Sequence, residues 1–305
     1  MNRFGKISIE KFNEIHNKVL IRVDDCGLGD IFITRMLFED IKKIMPCASI
    51  TFACPKKYIE AASDHPFIDN VVDCKEIKES DFLIHYNTTG VCTSYEMSIA
   101  PYSDLNRSDI LANYCGFKLR NHNMHIRIDE DLVAEAKNKL KNKRPCYALC
   151  PISAIASRSL TINQIDIINK HIKKENANLI CLHNKKIKEI EDLGIEIWDD
   201  LSIKQWMATI YSSDYIISTD TAGFHCAGGL GKPLLGIFSF TDGKVYGKYY
   251  KFNLVQKHRD NGDWNCGPCY NWICCPKSRQ VHKPCTLELT EKEILEGINL
   301  LKISI

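Results

Sequence analysis

The stretch YIISTDTAGFHCAGGLGKPLLGIFS occupies residues 215–239 of the chain. It begins and ends with short apolar runs typical of strands, and a segment of small residues of helical length lies between them. A strand, a Thr/Asp turn, a helix and a second strand in this order are typical of a parallel sheet with a crossover helix. The stretch therefore predicts an α/β fold.

The same alternation extends to both sides of this stretch. In the first half, the segments VLIRVDD, SITFAC, VVDC and DFLIHY predict strands. Residues 31–45 predict a helix that ends before Pro46, and residues 103–114 predict a helix with Ser103 as its N-cap. In the second half, CYALCPI, NLICLH and IEIW predict strands, and TINQIDIINKHIKKE and SIKQWMATIYSS predict helices.

The length of the chain predicts two domains. A chain of 305 residues exceeds the usual size of a single hydrophobic core. Residues 129–143 predict a polar helix rich in Lys and Glu, which ends where Arg144 precedes Pro145, a suitable place for a boundary. We expect an N-terminal Rossmann-like domain over residues 1–144 and a C-terminal one over residues 145–305.

The charge balance argues against a polyanionic partner. Lys and Arg number 40 against 38 Asp and Glu, which leaves a formal net charge of +2, so nucleic acid binding would need a local basic patch. The N-terminal residues lack the apolar centre of a signal peptide, and the apolar runs are too short to cross a bilayer. We expect a cytoplasmic protein whose contact with the inner membrane face is at most peripheral.

The segment VDDCGLGDIF, residues 23–32, predicts a strand, a glycine turn and the start of a helix. Backbone N–H groups at Gly27 and Gly29 would favour an anion or a polar acceptor. A dinucleotide fingerprint would need a third glycine where Phe32 stands, which argues against a dehydrogenase. Asp30 could take a proton from a hydroxyl as a general base. The alternative is an acid that only complements the helix dipole, and residue chemistry alone does not separate the two.

The 215–239 stretch also predicts a binding site. Asp220 and Thr221 follow a predicted strand, at the carboxyl end where open α/β sheets bind ligands. The next helix would point its N–H groups into that crevice, Gly223 would let a phosphate approach the backbone, and His225 could donate to a diphosphate oxygen. A single histidine is more often structural, so His225 alone assigns no function.

The segment CPISAIASRSL, residues 150–160, carries Ser153 and Arg158 in a loop after a predicted strand. The planar guanidinium group of Arg158 suits a diphosphate because it can make two charge-assisted hydrogen bonds. Exposed arginines are common in loops, so this segment does not assign a site by itself.

Fifteen cysteines are spread along the chain, and most are expected to be free thiols in a reducing compartment. The exception is the segment CGPCYNWICCPKSRQVHKPC, residues 266–285, which we expect to form a structural element near the face between the domains. Its Cys266, Cys269, Cys274 and Cys285 could bind zinc, form a disulfide or remain thiols. The later spacings are irregular for a zinc ribbon, and we expect no bound metal.

Together these segments resemble glycosyltransferase family 9, the ADP-heptose:lipopolysaccharide heptosyltransferases. The resemblance implies the GT-B fold, in which two Rossmann-like domains have parallel sheets that face a central cleft. Residues 27–52 are similar to the family's opening G-x-G-D, helix, Pro and strand. Residues 218–238 are similar to its D-T-G-x-x-H-L-A signature, although Ala222 and Cys226 depart from it. The CGPCY segment, residues 266–270, is similar to the family's C-x-P-C-aromatic segment. The first half beyond Phe52 has no quotable match, which leaves the acceptor open.

The resemblance implies inverting transfer of a sugar, with heptose from ADP-heptose as one candidate, to a saccharide or glycolipid hydroxyl such as lipopolysaccharide core. It implies that Asp30 is the catalytic base and that the second domain binds the nucleotide sugar. The donor-binding residues it implies are Ser153, Arg158, Asp220, Thr221, Gly223 and His225. The resemblance also implies that no metal cofactor is required, because protein cations and helix dipoles would stabilise the leaving diphosphate.

Two other functions stay open. The same fold could use a different donor or acceptor, such as another glycan or a nucleic acid. It could also serve a binding protein that has lost the chemistry, although the joint presence of Asp30, Asp220 and His225 weighs against this. Donor hydrolysis with turnover would exclude the second alternative.

Overall fold

The computed structural model describes residues 14–258, 266–272, 275, 277–278 and 283–303. The described chain contains two parallel β-sheets, one built from each half of the sequence. The α/β fold is therefore confirmed. The boundary between residues 144 and 145 falls between the last helix of the first half and the first strand of the second sheet, and it stays a prediction.

The first sheet has four strands. They are β1 (Lys18–Arg22), β2 (Ser49–Cys54), β3 (Asn70–Asp73) and β4 (Ile84–Asn87). Their order is β3-β2-β1-β4, so β1 is internal and its apolar side chains are buried. The helices of this half are α1 (Leu28–Arg35), α2 (Phe38–Ile44), α3 (Val91–Ile99), α4 (Arg107–Tyr114) and α5 (Glu130–Leu140).

The second sheet has six strands. They are β5 (Cys146–Cys150), β6 (Asn178–Leu182), β7 (Glu196–Trp198), β8 (Tyr215–Thr219), β9 (Leu234–Phe238) and β10 (Asn253–Gln256). Their order, β7-β6-β5-β8-β9-β10, is that of a Rossmann fold. The order reverses between β5 and β8, so a ligand crevice is expected at the carboxyl ends of these two strands.

The helices of the second half surround this sheet. They are α6 (Ile162–Lys174), α7 (Lys188–Glu191), α8 (Ile203–Ser212), α9 (Ala222–Gly229), α10 (Gly243–Tyr246), α11 (Pro284–Leu287) and α12 (Glu291–Ile303). None of the described helices combines the length and the apolar character that crossing a bilayer requires.

Side-chain caps fix where two of these helices begin. The hydroxyl of Thr161 accepts the N–H of Gln164, and the side chain of Gln164 accepts the N–H of Thr161, which forms a capping box at α6. Ser202 and Gln205 form the same arrangement at α8. Such a cap contributes about 1 kcal/mol. The two helices therefore begin at the positions that the sequence predicts.

One apolar cluster runs from the first sheet to the second and brings α1 against α9. The ring of Phe32 on α1 also lies 6.2 Å from the ring of Trp206 on α8. A Cβ atom at Gly29 would lie 3.2 Å from the Cδ2 atom of His225 and 3.6 Å from the amide nitrogen of Ala222. The absence of a side chain at Gly29 therefore lets the first turns of α1 and α9 meet.

The sequence predicts one continuous helix over residues 31–45, but the structure has two helices there, α1 and α2. The prediction of a single helix is therefore wrong. The N–H groups of Met36 and Leu37 donate to the carbonyls of Ile33 and Thr34, at 3.3 and 3.1 Å. These bonds span three residues instead of four and tighten the chain between α1 and α2.

The cap predicted at Ser103 is also wrong, because α4 begins at Arg107. The side chain of Asn106 accepts the N–H of Ser108 at 3.0 Å and caps the helix. Its amide group also donates to the carbonyls of Val245 and Tyr246, both at 2.9 Å, from the second half of the chain. A tertiary contact therefore sets this helix start. The sequence patterns likewise do not predict α3, α10, α11, α12 and β10.

Candidate active site

Asp30 lies in the first turn of α1, where the sequence predicts it. Its Oδ2 atom accepts the N–H of Gly27 at 2.9 Å, and its Oδ1 atom accepts a hydrogen bond from Nη1 of Arg107 at 3.0 Å. The side chain keeps 37% of its surface exposed. Asp30 is thus held in a fixed orientation while remaining accessible to a bound molecule. Its role as a base stays a prediction.

Arg107 is a buried cation that the sequence analysis did not single out. Its Nε and Nη2 atoms donate to the two carboxylate oxygens of Glu96, both at 2.8 Å. The hydroxyl of Tyr246 donates to Oε1 of the same carboxylate at 2.8 Å. Burial opposes the charge of Arg107, but Tyr246, Glu96 and Asp30 raise its pKa well above the usual value. Arg107 therefore remains charged.

Asp220 stands at the carboxyl end of β8 and is almost completely buried. Its Oδ2 atom accepts hydrogen bonds from Nη1 of Arg158 at 3.1 Å and from the hydroxyl of Thr241 at 2.8 Å. Burial opposes its ionisation, but Arg158 and other neighbouring charges, with the Thr241 hydrogen bond, lower the pKa of Asp220. Asp220 is therefore an ionised acid that holds Arg158 at the crevice.

The loop after β5 carries Arg158, and Ser153 stabilises this loop through hydrogen bonds. The N–H of Ser153 donates to the hydroxyl of Ser159 at 2.9 Å, and the N–H of Ile155 donates to the hydroxyl of Ser153 at 3.4 Å. The buried Nε atom of Arg158 has no hydrogen-bond partner among the residues that the structure describes. Arg158 thus has hydrogen-bonding capacity that its described contacts leave unused, and Ser153 shapes the loop that carries it.

Trp272 joins the two arginines. Its ring centre lies 5.3 Å from the guanidinium carbon of Arg107 and 5.2 Å from that of Arg158. The preceding segment is anchored by the N–H groups of Cys269 and Tyr270, which both donate to the carbonyl of Phe240 at 3.0 Å. The C-terminal cysteine segment therefore reaches the face between the two halves, and cations from both halves contact one indole ring.

Two of the residues predicted to bind the donor, Thr221 and Gly223, have structural roles at the start of α9. The hydroxyl of Thr221 caps the helix by accepting the N–H of Gly223 at 3.2 Å. A Cβ atom at Gly223 would lie only 2.5 Å from the Sγ atom of Cys150, so packing against β5 requires glycine there. The sequence analysis attributed this glycine to the approach of a phosphate, and the structure shows that packing is sufficient to explain it.

His225 is buried beside these groups as a neutral ring. Its Nδ1 atom lies 3.1 Å from the hydroxyl of Tyr250. Burial lowers the pKa of His225 to about 4, with Asp220 opposing the shift and Arg107 supporting it. The ring can therefore offer a hydrogen bond to a ligand at neutral pH but no positive charge. The positive charges beside the ring are those of the two arginines, of which Arg158 is paired with one carboxylate and Arg107 with two.

The C-terminal cysteines that the structure describes are free thiols: Cys266, Cys269, Cys275 and Cys285. Burial raises the pKa of Cys285 to about 12. Across residues 14–258 and the described positions after 265, no group of three or more His, Cys, Asp or Glu side chains is arranged to hold a metal ion. Cys274 lies outside the described residues, so the predicted zinc group is not described in full.

Sequence signals for the missed residues do exist. Arg107 occupies the first turn of α4, where the helix dipole disfavours a cation, so a specific partner is expected there. Glu96 is a fully buried acid on α3, within the largely uncharged segment VCTSYEMSI. Both residues are charged at positions where a charge is unfavourable without a partner, which is typical of a buried polar site. Trp272 gives no comparable signal.

The two Rossmann-like units meet at the carboxyl ends of their central strands. One unit carries an accessible acid, and the other carries a buried acid–arginine pair. This is the architecture of GT-B glycosyltransferases. Residues 105–270 match glycosyltransferase family 9 (heptosyltransferase), which is more than half of the chain. The chain belongs to this family. The matched range contains Arg107, Arg158 and Asp220 but not the loop of Asp30.

Solved structures agree with this assignment at the level of the fold. A family 9 glycosyl transferase from Veillonella parvula matches with a TM-score of 0.71 and 11% identity, over 95% of this chain and 98% of that one. ADP-heptose lps heptosyltransferase II from E. coli matches with a TM-score of 0.68 and 12% identity, over 94% and 98%. The resemblance inferred from the sequence is thus confirmed.

A third match is the iron-containing dodecameric glycosyltransferase TibC from enterotoxigenic E. coli, with a TM-score of 0.67 and 15% identity, over 94% of this chain and 76% of that one. Another TibC structure is a complex with ADP-D-beta-D-heptose. No curated protein matches the sequence.

Proposed function

We propose that the protein is an inverting glycosyltransferase that uses a nucleoside-diphosphate sugar, with ADP-heptose as the first donor to test, and a saccharide or glycolipid hydroxyl such as that of lipopolysaccharide core as acceptor. The observation that carries this proposal is that the loop of the accessible Asp30 packs against the start of α9, the helix that follows Asp220 and its partner Arg158. Family membership and the ADP-heptose complex of TibC support the choice of donor.

In the proposed reaction, the acceptor hydroxyl attacks the anomeric carbon from the face opposite the diphosphate. Asp30 takes the hydroxyl proton as the new C–O bond forms. The bond between the anomeric carbon and the diphosphate oxygen breaks, and the nucleoside diphosphate leaves with its electron pair. Arg158, the N–H groups at the start of α9 and the neutral ring of His225 stabilise the charge that develops on it. No step requires a metal ion.

The placement of these residues supports a division of roles between the two domains. We propose that residues 1–144 hold the acceptor, with Gly27 and Gly29 in the loop that faces it, and that residues 145–305 hold the donor. Asp220 and Ser153 would act by placing Arg158. Thr221 and Gly223 would act by forming the first turn of α9.

Binding and turnover together test this proposal. A thermal-shift panel of ADP, UDP, GDP and their sugars should show a rise in melting temperature for one nucleotide family, because a ligand that binds only the folded state stabilises it. Incubation with the matching nucleotide sugar should then release the nucleoside diphosphate with turnover. Binding without turnover in the presence of lipopolysaccharide-core and other glycan acceptors would favour a binding protein, and no response from any nucleotide would refute the proposal.

A further inference from the structure

A chain of hydrogen bonds connects the second half of the molecule to Asp30. The hydroxyl of Tyr246 donates to Glu96 at 2.8 Å, and Glu96 accepts two hydrogen bonds from Arg107, also at 2.8 Å. Arg107 in turn donates to Asp30 at 3.0 Å. Tyr246 ends α10, whereas the other three residues belong to the first half. We call this series of contacts the Tyr246 chain.

The members of the Tyr246 chain behind Asp30 are buried, so their geometry is strongly determined. Glu96, Tyr246 and Arg107 all lie in the interior, where hydrogen bonds to charged groups are strong and a missing partner is costly. The ring of Tyr246 also lies 5.0 Å from the guanidinium carbon of Arg107. Tyr246 therefore constrains Arg107 twice, through the carboxylate of Glu96 and through its own ring.

The position of Tyr246 depends on contact between the two halves. Asn106, the N-cap of α4, donates to the carbonyls of Val245 and Tyr246 at 2.9 Å. Thr241, which precedes α10, donates to Asp220 at 2.8 Å. The segment 241–246 thus contacts the donor-side acid at one end and the partner of Arg107 at the other.

We infer that Tyr246 is a positioning residue for Asp30, and that it aligns this carboxylate across the domain interface through Glu96 and Arg107. The inference rests on the proposed function, in which Asp30 is the base. The orientation of the base then depends on the docking of the donor-binding half. Tyr246 touches neither the acceptor nor the reacting atoms in this account, so its loss should slow turnover without weakening donor binding.

The test replaces Tyr246 by Phe, which removes the hydroxyl but keeps the ring beside Arg107. The matched control is Tyr249→Phe, because the hydroxyl of Tyr249 also donates to an acid on α4, Asp109, at 2.6 Å, and that acid has no part in the Tyr246 chain. With ADP-heptose as donor, we expect kcat to fall about tenfold in Tyr246→Phe and donor Kd to stay within about twofold, because a small misplacement of a reacting group slows the chemical step. The control should retain parental kcat.

A second readout separates this inference from the proposed function. The N–H of Gly27 is held by Asp30, so a looser carboxylate should expose it. Hydrogen–deuterium exchange of the peptide spanning residues 24–31 should be faster in Tyr246→Phe than in the parent and in Tyr249→Phe. Faster exchange in a protein that turns over no nucleotide sugar would support the positioning role and refute the proposed function. Unchanged exchange in Tyr246→Phe, or a kcat equal to that of the control, would overturn the inference.

Discussion

The two arginine–carboxylate pairs at the cleft differ in which partner is buried. In the pair Arg107–Asp30, the arginine side chain is 10% exposed and the acid is 37% exposed. In the pair Arg158–Asp220, the arginine is 15% exposed and the acid only 3%. The first pair therefore presents a carboxylate to the cleft, whereas the second keeps its carboxylate in the interior and leaves the cation more accessible.

The surroundings of the two arginines reinforce this difference. Arg107 contacts two carboxylates, those of Glu96 and Asp30, so its charge is more than compensated. Arg158 contacts one carboxylate, and its Nε atom has no partner within the described part of the chain. A compensated arginine suits the orientation of a base, and a partly unpartnered arginine suits the binding of an anion. We therefore propose different roles for the same residue types, because their burial differs.

The largest effect is expected on the acceptor side, from Asp30→Asn. The amide keeps the size of the side chain and much of its hydrogen bonding but cannot take a proton. We expect kcat to fall by about 10²–10⁴, the usual contribution of a positioned base, while donor affinity stays near that of the parent. Asp25→Asn, which changes an exposed acid of the same loop, is the matched control and should retain activity. Near-parental turnover by Asp30→Asn would place the base elsewhere.

A smaller effect is expected on the donor side, from Arg158→Ala. Hydrogen bonds to charged groups contribute about 1.5–3 kcal/mol, so nucleoside-diphosphate affinity should fall about 10- to 100-fold. His225→Ala should weaken binding less, because its ring is neutral and a neutral hydrogen bond contributes about 0.5–1.5 kcal/mol. Calorimetry measures both, with exposed Arg120→Ala as the control. Unchanged affinity in both site variants would remove Arg158 and His225 from the donor site.

The neutral state of His225 also predicts how stability depends on pH. An unfolded histidine binds its proton near pH 6.5, whereas the folded protein protonates His225 only near pH 4. Between these values the unfolded state binds more protons, so the free energy of unfolding should fall as the pH falls, by up to about 1.4 kcal/mol per pH unit for this residue. Buried His65, whose pKa is lowered to about 3, acts in the same direction.

Urea unfolding between pH 4.5 and 7 measures this dependence. We expect His225→Asn to unfold with a shallower pH dependence than the parent, because the contribution of His225 is gone. An identical slope would mean that folding does not lower the pKa of His225. The donor side would then carry a second cation beside Arg158 below about pH 6.5, and the contrast between the two pairs would need revision.

Metal removal is expected to have the smallest effect. The cysteine segment supports Trp272, which contacts both arginines, so a structural metal there would affect both pairs at once. We expect substoichiometric zinc and iron by elemental analysis of untagged protein, and no change in melting temperature on chelation. About one equivalent of either metal, lost together with folding on chelation, would contradict this expectation.

The fold could be predicted from sequence because its signals are local. The apolar runs that form β2 and β8, and the capping residues Thr161 and Ser202, report strands and helix starts within a few residues. The start of α4 could not be predicted in this way, since Asn106 is chosen by contact with the distant residues Val245 and Tyr246. Long-range contacts leave no periodic pattern in a sequence.

The candidate site likewise contains residues that the sequence predicts and partners that only the structure shows. Asp30, Asp220 and His225 stand in recognisable turns, and the sequence places them at strand ends and helix starts, as the structure does. The partners that determine their ionisation, such as Glu96 and Thr241, come from remote segments. The sequence therefore indicates which residues to examine, and only the folded contacts show that His225 is neutral and that Asp220 holds Arg158.

The most direct test of the account compares Asp30→Asn and Arg158→Ala in a single experiment. For each variant, ADP-heptose affinity is measured by calorimetry and kcat at saturating donor is measured on the same protein sample. The account predicts that Asp30→Asn lowers kcat and leaves donor affinity nearly unchanged. It predicts that Arg158→Ala lowers donor affinity by a larger factor than it lowers kcat. If both variants lost affinity and turnover in the same proportion, the division between a carboxylate that reacts and an arginine that binds would be contradicted.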